Sequence, residues 1–182
     1  WSATLENRHF QSRALDFEPD ALTLATYRPF FRQRLYFSDQ LNHRRGLIPK
    51  LFPTPAHTNF GFYNVGAGSA VPFGILATSS IPDLHVTGAG SGGQYFARWT
   101  YESAVLQGAF SFDAEADVAG GYRRIDNVTD EALQQFRAAY GSAITKDDIF
   151  FYVYGLLHSP DYRETYAADL KKMLPRIPLV ED

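Results

Sequence analysis

Hydrophobic and polar residues alternate along several short stretches of residues 1–100. In "QRLYF" (33–37), Leu35 and Phe37 fall on one side of an extended chain, and Arg34 and Tyr36 fall on the other. A period of two residues is typical of a strand that buries one face. The stretch therefore predicts a half-buried β-strand.

Two further apolar stretches predict a β-hairpin. "NFGFYNVG" (59–66) and "AVPFGILATSS" (70–80) are separated by a turn signal that contains Gly66 and Gly68. Because proline cannot donate a ladder hydrogen bond, Pro72 places the second stretch at the start of a strand or at a sheet edge.

One more strand is predicted for "QYFARWTY" (94–101). Two conspicuous loops lie between the strands, "LNHRRGLIPKLFPTPAHT" (41–58) and "TGAGSGG" (87–93). Residues 110–122 form an acidic stretch that predicts a mobile connection.

The tetrapeptide "YRPF" (27–30) predicts a structural corner. The residue before a proline is held in an extended conformation. We expect Phe30 and Phe31 to be buried behind this corner, and Arg28 to pair with an acidic side chain.

From Thr129 the apolar period becomes helical. Thr129 is a favourable N-cap, acidic residues follow it in the first turn, and Gly141 is a stop signal. A second helix is predicted to begin near Asp147. Its core-facing stripe has the spacing i, i+3, i+4, i+7 and i+8 and consists of Ile149, Tyr152, Val153, Leu156 and Leu157.

A third helix is predicted from Ser159, with Pro160 at its first position, to about Met173. Its docking face consists of Tyr162, Tyr166, Leu170 and Met173. Beyond it, Pro175 and Pro178 predict an extended strap that lays Ile177 and Leu179 against the body. These elements together predict an α+β domain. Residues 1–122 form its β-rich, loop-bearing part, and residues 123–182 form its helical closing part.

Composition limits the chemistry. The chain has no cysteine, which excludes disulfides, thiolate zinc sites and cysteine nucleophiles, and a reducing cytoplasm is compatible with that. No apolar run approaches the roughly 18 residues of a membrane span. Because the chain starts at Trp1, we expect it to be a segment of a longer polypeptide.

Charge is strongly polarised along the chain, although its net value is only −3. Residues 27–50 carry six basic side chains and one acidic one, whereas residues 101–131 carry seven acidic side chains and two basic ones. A basic face, and therefore a nucleic-acid partner, is compatible with this acidic protein.

A carboxylate–carboxylate–lysine pattern formed by Asp161, Asp169 and Lys171 raises the possibility of a metal-dependent nuclease. Such a site needs carboxylates that converge on one cation with oxygen ligands within about 2–2.6 Å of it. On a helix, residues eight positions apart are about 12 Å apart along the axis. The predicted helix argues against the nuclease, which instead requires a strand here.

Several motifs resemble the C-terminal target-recognition (specificity) region of Type ISP restriction–modification enzymes. These motifs are "YRPF" (27–30), "LYF" (35–37), "PDLH" (82–85), "RRIDNVTDEAL" (123–133) and "TKDDIFFYVYGLLHSPDYRETYAADLKKMLPRIPL" (145–179). This family joins a nuclease, a helicase-like ATPase motor, an adenine-N6 methyltransferase and a target-recognition domain in one polypeptide. The chain departs from the family at Arg98 and Trp99, where the family strand is usually apolar.

The resemblance implies sequence-specific recognition of double-stranded DNA, which would position a target adenine for methylation and direct cleavage. The segment itself would be non-catalytic and hold no cofactor. S-adenosylmethionine, ATP and magnesium would serve the upstream methyltransferase, helicase and nuclease parts. The alternative is a module that docks these parts and touches DNA only non-specifically. In that case, the basic residues of 27–50 would be scattered over the surface.

Candidate DNA contacts divide into base readers and phosphate contacts. Arginine can pair with guanine, and asparagine or glutamine with adenine. The base-reading candidates are Asn42, Arg44, Arg45, Asn59, Gln94 and Arg98. The phosphate candidates are Arg32, Lys50 and Arg123.

Three alternatives stay open at these positions. The loop arginines could simply be solvated. The glycine-rich loop 87–93 could bring backbone amides to a phosphate or be a flexible surface loop. Arg124 could fix the helix start through Asp126, or the pair Arg123–Arg124 could contact a phosphate.

Overall fold

The computed structural model describes residues 14–42, 44–104 and 118–180, together with residues 6, 7, 9 and 11. In chain order the strands are β1 (Leu22–Arg28), β2 (Phe31–Tyr36), β3 (Gly61–Asn64), β4 (Ile75–Thr78), β5 (Ile81–Pro82), β6 (Gln94–Ala97), β7 (Trp99–Ser103), β8 (Val118–Ala119) and β9 (Tyr122–Asp126). The α-helices are α1 (Ile48–Leu51), α2 (Asp130–Tyr140), α3 (Lys146–His158), α4 (Pro160–Thr165) and α5 (Ala167–Leu170), and a 3₁₀ turn spans Pro19–Ala21. The predicted α+β class is confirmed.

The strands form three small sheets with the orders β2-β1-β5, β4-β3-β6 and β7-β9-β8. All neighbours are antiparallel except β1 and β5, which pair in parallel through Ala25 and Ile81. The predicted strand at 33–37 is confirmed as β2. The predicted hairpin is confirmed as β3 and β4, and β4 lies at a sheet edge, as Pro72 indicated.

The prediction of one strand at 94–101 is wrong. The segment forms β6 and β7, which belong to different sheets, and Arg98 lies between them. The amide of Arg98 donates to the carbonyl oxygen of Phe60, and its own carbonyl oxygen accepts from the amide of Asn127. Because these bonds run to two different segments, the chain leaves one sheet and enters the next at this residue.

The helix starts and the first helix stop are confirmed. Thr129 caps α2 through the amide of Ala132, and Gly141 ends that helix with φ 103°. Thr145 and Asp148 form a capping box at the start of α3, and Ser159 caps α4 through the amide of Tyr162.

The third helix is shorter than predicted and is divided. Tyr166 leaves helical geometry at φ −104° and ψ 17°, which ends α4 and begins α5. Its ring remains 4.9 Å from that of Tyr162, and Leu170 is buried at the end of α5. Two short helices therefore press the predicted docking face onto the core, but Tyr166 and Met173 remain partly exposed.

The main core joins the second sheet to the helices. It is built from Phe62 and Ile75 of the sheet and from Phe150, Leu157, Tyr162 and Leu170 of the helices. A second cluster lies under β1, where Ala25 and Ile81 pack with Phe52. Leu35 and Phe37 pack against this second cluster, as the alternation in 33–37 predicts.

Three tyrosine hydroxyls hold the extended C-terminal strap, residues 175–180. Tyr162 donates to the carbonyl oxygen of Arg176 at 2.6 Å, and Tyr152 donates to that of Pro178 at 2.7 Å. Tyr140 donates to that of Val180 at 2.7 Å. Ile177 packs on the core as predicted, whereas Leu179 remains 44% exposed.

Two sequence-based expectations concern other parts of the chain. Most of the acidic stretch 110–122 lies outside the described residues, which resume at β8. Within the described residues, every helix is too short or too polar to cross a bilayer.

Candidate nucleic-acid interface

A cleft of about 560 Å³ runs between the β1–β2 hairpin and the segment 52–59. The hairpin contributes Leu22, Leu24, Arg32 and Arg34, and the facing segment contributes Thr54, His57 and Thr58. Ser79 and Ser80 also line the cleft. Its walls thus combine two guanidinium groups, several hydroxyls and two leucines.

The alternation of β2 places both arginines in this cleft. Arg34 pairs with Leu24 across the hairpin, and Arg32 pairs with Thr26, so all four residues share one face. Leu35 points to the opposite face and packs on the core. Within residues 14–42, 44–104 and 118–180, no carboxylate forms an ion pair with Arg32 or Arg34. Their charge is available to a ligand.

Polar contacts fix the floor and wall of the cleft. The Thr26 hydroxyl lies 2.6 Å from that of Thr78 and 2.7 Å from that of Ser80, which ties β1 to the segment after β4. The ring of His57 is buried edge-on against Tyr101 and Tyr122, and its Nδ1 lies 2.7 Å from the Thr54 hydroxyl. The cleft is therefore largely formed before any ligand arrives.

Asn59 is not placed to read a base. Its side chain is buried in the fold, where the amide nitrogen donates to the carbonyl oxygens of Leu51 and Trp99 at 2.9 Å each. Its Oδ1 accepts from the amides of Phe60 and Trp99. The residue lines the cleft, but its polar atoms hold the segment 51–60 against β7.

Arg98 is not a base reader either, because it is only 2% exposed. Its guanidinium donates to Asp126 at 2.5 Å and to Asp147 at 2.7 Å, and it lies 3.9 Å from the centre of the Trp99 ring. Burial lowers the pKa of Arg98, but the hydrogen bonds and charges of Asp126 and Asp147 raise it more, so the net direction is upward. Arg98 is a charged structural tie.

The predicted loop 41–58 is more ordered than its composition indicates, because it contains α1. Asn42 uses its Oδ1 to accept from the amide of Ser38 at 2.8 Å, which stabilises a turn. Arg44 is exposed with φ 58°, and Arg45 lies 5.3 Å from the centre of the Phe37 ring. Lys50 is exposed in the last turn of α1. None of these four residues lines the cleft of Arg32 and Arg34.

The glycine-rich loop 87–93 is anchored. The Tyr63 hydroxyl donates to the carbonyl oxygen of Leu84 and lies 2.8 Å from that of Ser91, which is fully buried. A Cβ atom at Gly93 would lie 2.1 Å from the Tyr63 ring, so only glycine allows this approach. Gln94 follows the loop as the exposed first residue of β6, and its side chain is accessible to a partner.

Arg123 and Arg124 contact their own sheet. Arg123 pairs with Glu102 across β9 and β7 at 3.2 Å, and Arg124 lies 4.4 Å from the centre of the Trp99 ring. Asp126, the expected partner of Arg124, accepts from Arg98.

Asp161 and Asp169, the carboxylates of the nuclease alternative, lie on the separate helices α4 and α5, where that alternative requires a strand. Within the described residues, no cluster of three or more acidic, histidine or cysteine side chains could hold a metal ion.

Sequence reasoning missed Arg34 and the two leucines of the cleft. A signal for Arg34 was present, because the alternation in 33–37 places it opposite the buried Leu35. The other wall comes from 52–59, and no local pattern indicates that this segment faces β2.

Comparison with solved structures finds the same fold in DNA complexes. The cryo-EM structure of a DrdV–DNA complex matches the whole chain with a TM-score of 0.82 and 29% identity, over 16% of its own chain. A nuclease-deletion mutant of the Type ISP enzyme LlaGI, in complex with a DNA substrate mimic, matches the whole chain with a TM-score of 0.74 and 32% identity, over 14% of its own chain. The Type ISP enzyme LlaBIII bound to DNA has the same fold, with a TM-score of 0.78 and 22% identity, and the match covers the whole chain and 11% of LlaBIII.

The chain is thus equivalent to only 11–16% of the length of these three polypeptides. No curated protein matches it. The family model for the Type ISP C-terminal specificity domain, in contrast, matches residues 1–182. The chain therefore belongs to the family of Type ISP C-terminal specificity domains.

Proposed function

We propose that this domain recognises a specific base sequence in double-stranded DNA, as the non-catalytic specificity part of a restriction–modification polypeptide. Two independent findings support the proposal. The chain belongs to the specificity-domain family, and its structural relatives LlaGI and DrdV were solved in complex with DNA or a DNA mimic.

The cleft is the observation that carries the proposal. Arg32 and Arg34 extend from alternate positions of β2 and have no carboxylate partner within the described residues. Guanidinium groups contact phosphates and pair with guanine, and hydroxyls such as those of Thr54, Thr58 and Ser79 donate to phosphates. A cleft with this lining suits the sugar–phosphate backbone and a groove edge of a duplex.

Exposed groups outside the cleft are further candidates for base recognition. Arg44, Gln94 and Lys50 are exposed and remain candidates for readout or phosphate contact. Asn59 and Arg98 are removed from the candidates because the fold uses their polar atoms. Within the complete polypeptide, recognition would position a target adenine for N6 methylation and direct cleavage. Methyltransferase, motor and nuclease parts would use S-adenosylmethionine, ATP and magnesium.

A docking role toward other parts of the same polypeptide is the second candidate. An apolar pocket of about 420 Å³ favours it, because Tyr166, Met173 and Leu174 on its rim are each about 40% exposed. Exposed apolar surface of this kind often contacts protein. Charge placement favours DNA for the hairpin, since Arg32 and Arg34 share one cleft. The other four basic residues of 27–50, namely Arg28, Arg44, Arg45 and Lys50, lie outside its lining.

The test is a selection from a randomised duplex pool by the complete polypeptide at low salt, followed by sequencing of the retained DNA. We expect an enriched motif of several base pairs. Replacing both Arg32 and Arg34 by alanine should weaken retention, because two cations leave the cleft. Replacing both Arg44 and Arg45 by alanine tests whether the loop determines the motif itself.

The matched control replaces Lys172 and Arg176 by alanine. It removes the same charge from exposed positions in the C-terminal part, away from the cleft lining. Retention without any motif, or an equal effect of the control and the cleft variant, would contradict sequence recognition through this cleft and support the docking role.

A further inference from the structure

The tip of the β1–β2 hairpin carries an aromatic ring in open solvent. Pro29 and Phe30 form the turn between the paired residues Arg28 and Phe31. Phe30 is 97% exposed, and Phe31 beside it is 55% exposed. The sequence-based prediction that both rings are buried is therefore wrong, since the turn directs them away from the core.

The backbone of Phe30 is unusual as well. Its φ is 62°, a left-handed conformation that a bulky side chain rarely adopts. A positive φ directly after a proline is the geometry of a type II turn, in which glycine is the usual residue at this position. Phenylalanine thus occupies a site that glycine would fill with less strain, although its ring makes almost no contact that would stabilise this fold.

The residues around the tip brace it. Arg28 lies 4.0 Å from the centre of the Tyr27 ring and pairs with Asp83 at 3.4 Å, and the rings of Tyr27 and Phe31 meet edge-on at 6.3 Å. The base of the ring-bearing turn is therefore held in place, while the ring of Phe30 projects beyond it.

The tip is continuous with the basic cleft. Arg32 directly follows Phe31 and lines the cleft with Arg34, so a duplex that neutralises these cations runs beside the hairpin. β5 pairs with β1 only at Ala25 and Thr26, so beyond Thr26 the hairpin is a two-stranded antiparallel ribbon. Such a ribbon is narrow enough to enter a DNA groove. Charge thus favours DNA over an apolar protein surface as the partner of this tip.

We propose that Phe30 inserts between two adjacent base pairs of the bound duplex and unstacks them, a role that rests on the proposed function. Apolar side chains that wedge into base steps kink DNA in this way. Pyrimidine–purine steps are the easiest to unstack. The wedge therefore adds selectivity for a deformable step without any hydrogen bond to a base edge.

The experiment uses the complete polypeptide and the motif obtained by selection, with 2-aminopurine replacing each adenine of either strand in turn, within the site and beside it. Wild-type protein should raise the fluorescence at one step several-fold, because the probe is unstacked there. Phe30→Trp keeps a planar ring and should retain the signal. Phe30→Gly relieves the backbone and should lose the signal, with an affinity about tenfold lower, as expected for one lost stacking contact.

Leu179→Ala is the matched control, since it removes an exposed apolar side chain from the C-terminal part at a position outside the apolar pocket. The proposal is overturned if Phe30→Gly binds the motif with unchanged affinity and unchanged fluorescence. It is also overturned if Phe30→Gly leaves the DNA signal intact but lowers the melting temperature of the DNA-free polypeptide, because the ring then docks against protein. Failure of the wild-type polypeptide to bind DNA would refute the proposed function itself, and the wedge with it.

Discussion

Arg98 joins three parts of the molecule through one side chain. It lies between β6 and β7, and its guanidinium reaches Asp126 at the end of β9 and Asp147 in the first turn of α3. The Trp99 ring covers one face of the group. Since a buried guanidinium needs several acceptors, the two carboxylates make its burial tolerable.

Replacing Arg98 by methionine should lower the free energy of unfolding by about 2–4 kcal/mol, because it removes two charge-assisted hydrogen bonds. The loss should fall short of the largest values for buried pairs, since Asp147 is 60% exposed and is rehydrated. Urea unfolding measures the free energy of unfolding of the wild-type protein and of the variant. Arg124→Met, on the same tryptophan but at an exposed position, is the control and should cost less. Equal losses would mean that the ion pairs contribute nothing beyond packing.

His158 gives the molecule a pH dependence near neutrality. Partial burial, and then the positive charge of Arg163, lower the pKa of His158 in the folded state. In the unfolded chain the imidazole of this histidine has a pKa of about 6.5, so the unfolded state binds the proton more readily than the folded state does. The contribution of His158 to stability is therefore fully present above about pH 6.5. It is lost as the pH falls below that value toward the lower pKa that His158 has in the folded state.

The prediction is that the free energy of unfolding decreases between pH 7.5 and pH 5.5, and that His158→Gln shows a smaller decrease. Glutamine keeps a polar side chain but does not titrate, so the difference between the two curves isolates the imidazole. Thermal melts at matched ionic strength measure it. Parallel curves for the two proteins would assign the pH dependence to other groups.

Some residue roles could be predicted from sequence, and others could not. Thr129, Gly141 and Ser159 act on backbone groups only a few positions away, and their roles as caps and stop are confirmed. Asn59 and Arg98 bond to segments far along the chain, so the local pattern does not indicate that they are buried. Their polar character suggested DNA contact, although the fold itself uses their donors.

At the scale of elements, structure that depends on neighbouring residues was again predictable, whereas structure that depends on distant segments was not. The residues of 94–101 include no glycine or proline that would signal a break, so the stretch predicts one strand. The switch between sheets at Arg98 depends on Phe60 and Asn127, which lie in other segments. The hairpin β3–β4 was predictable, in contrast, because its turn and both its strands lie in one continuous segment.

Gly155 is a position at which a substitution can measure helix propensity without a change in packing. It is an exposed residue within α3, and a Cβ atom there would meet no other atom within 4 Å. Gly155→Ala should therefore raise the free energy of unfolding by about 0.5–1 kcal/mol, because glycine loses more backbone entropy in a helix than alanine does. Urea unfolding of the variant measures the gain.

Gly66→Ala provides the opposite control. Its Cβ atom would lie 2.0 Å from the carbonyl oxygen of Gly92, in the anchored glycine-rich loop. The backbone would have to move, so this variant should be destabilised. A gain in both variants would show that loss of unfolded-state entropy dominates even at the crowded position.

At the scale of the whole molecule, the class was predictable, but the arrangement of sheets was not. The shift from a period of two residues to a helical period marks the α+β division. The parallel pairing of β1 with β5 and the split into three sheets depend on which apolar faces meet across long loops. The cleft is a product of that arrangement, since its two walls come from separate segments.

Salt should reveal how many phosphates the cleft engages. Each lost phosphate contact reduces the slope of log K against log salt concentration by about 1. Replacing both Arg32 and Arg34 by alanine should thus reduce the slope by about 2, measured by titration of the selected duplex between low and physiological salt. The Lys172 and Arg176 control should leave the slope unchanged, and an unchanged slope in the cleft variant would place the phosphates elsewhere.

The C-terminal strap has a consequence for which sequence changes this segment tolerates. Its tyrosine contacts all end on backbone atoms. The carbonyl oxygens of Arg176, Pro178 and Val180, two residues apart, accept from hydroxyls, and the amide of Val180 donates to the Tyr152 hydroxyl at 3.0 Å. Every amino acid offers the same carbonyl, and every one except proline offers the same amide, so these contacts place little restriction on side-chain identity. A deletion or insertion of one residue would instead shift the carbonyl groups that follow it, so that they no longer face the tyrosine hydroxyls. Surface segments usually vary freely in length, but this one should vary in composition while its length stays fixed.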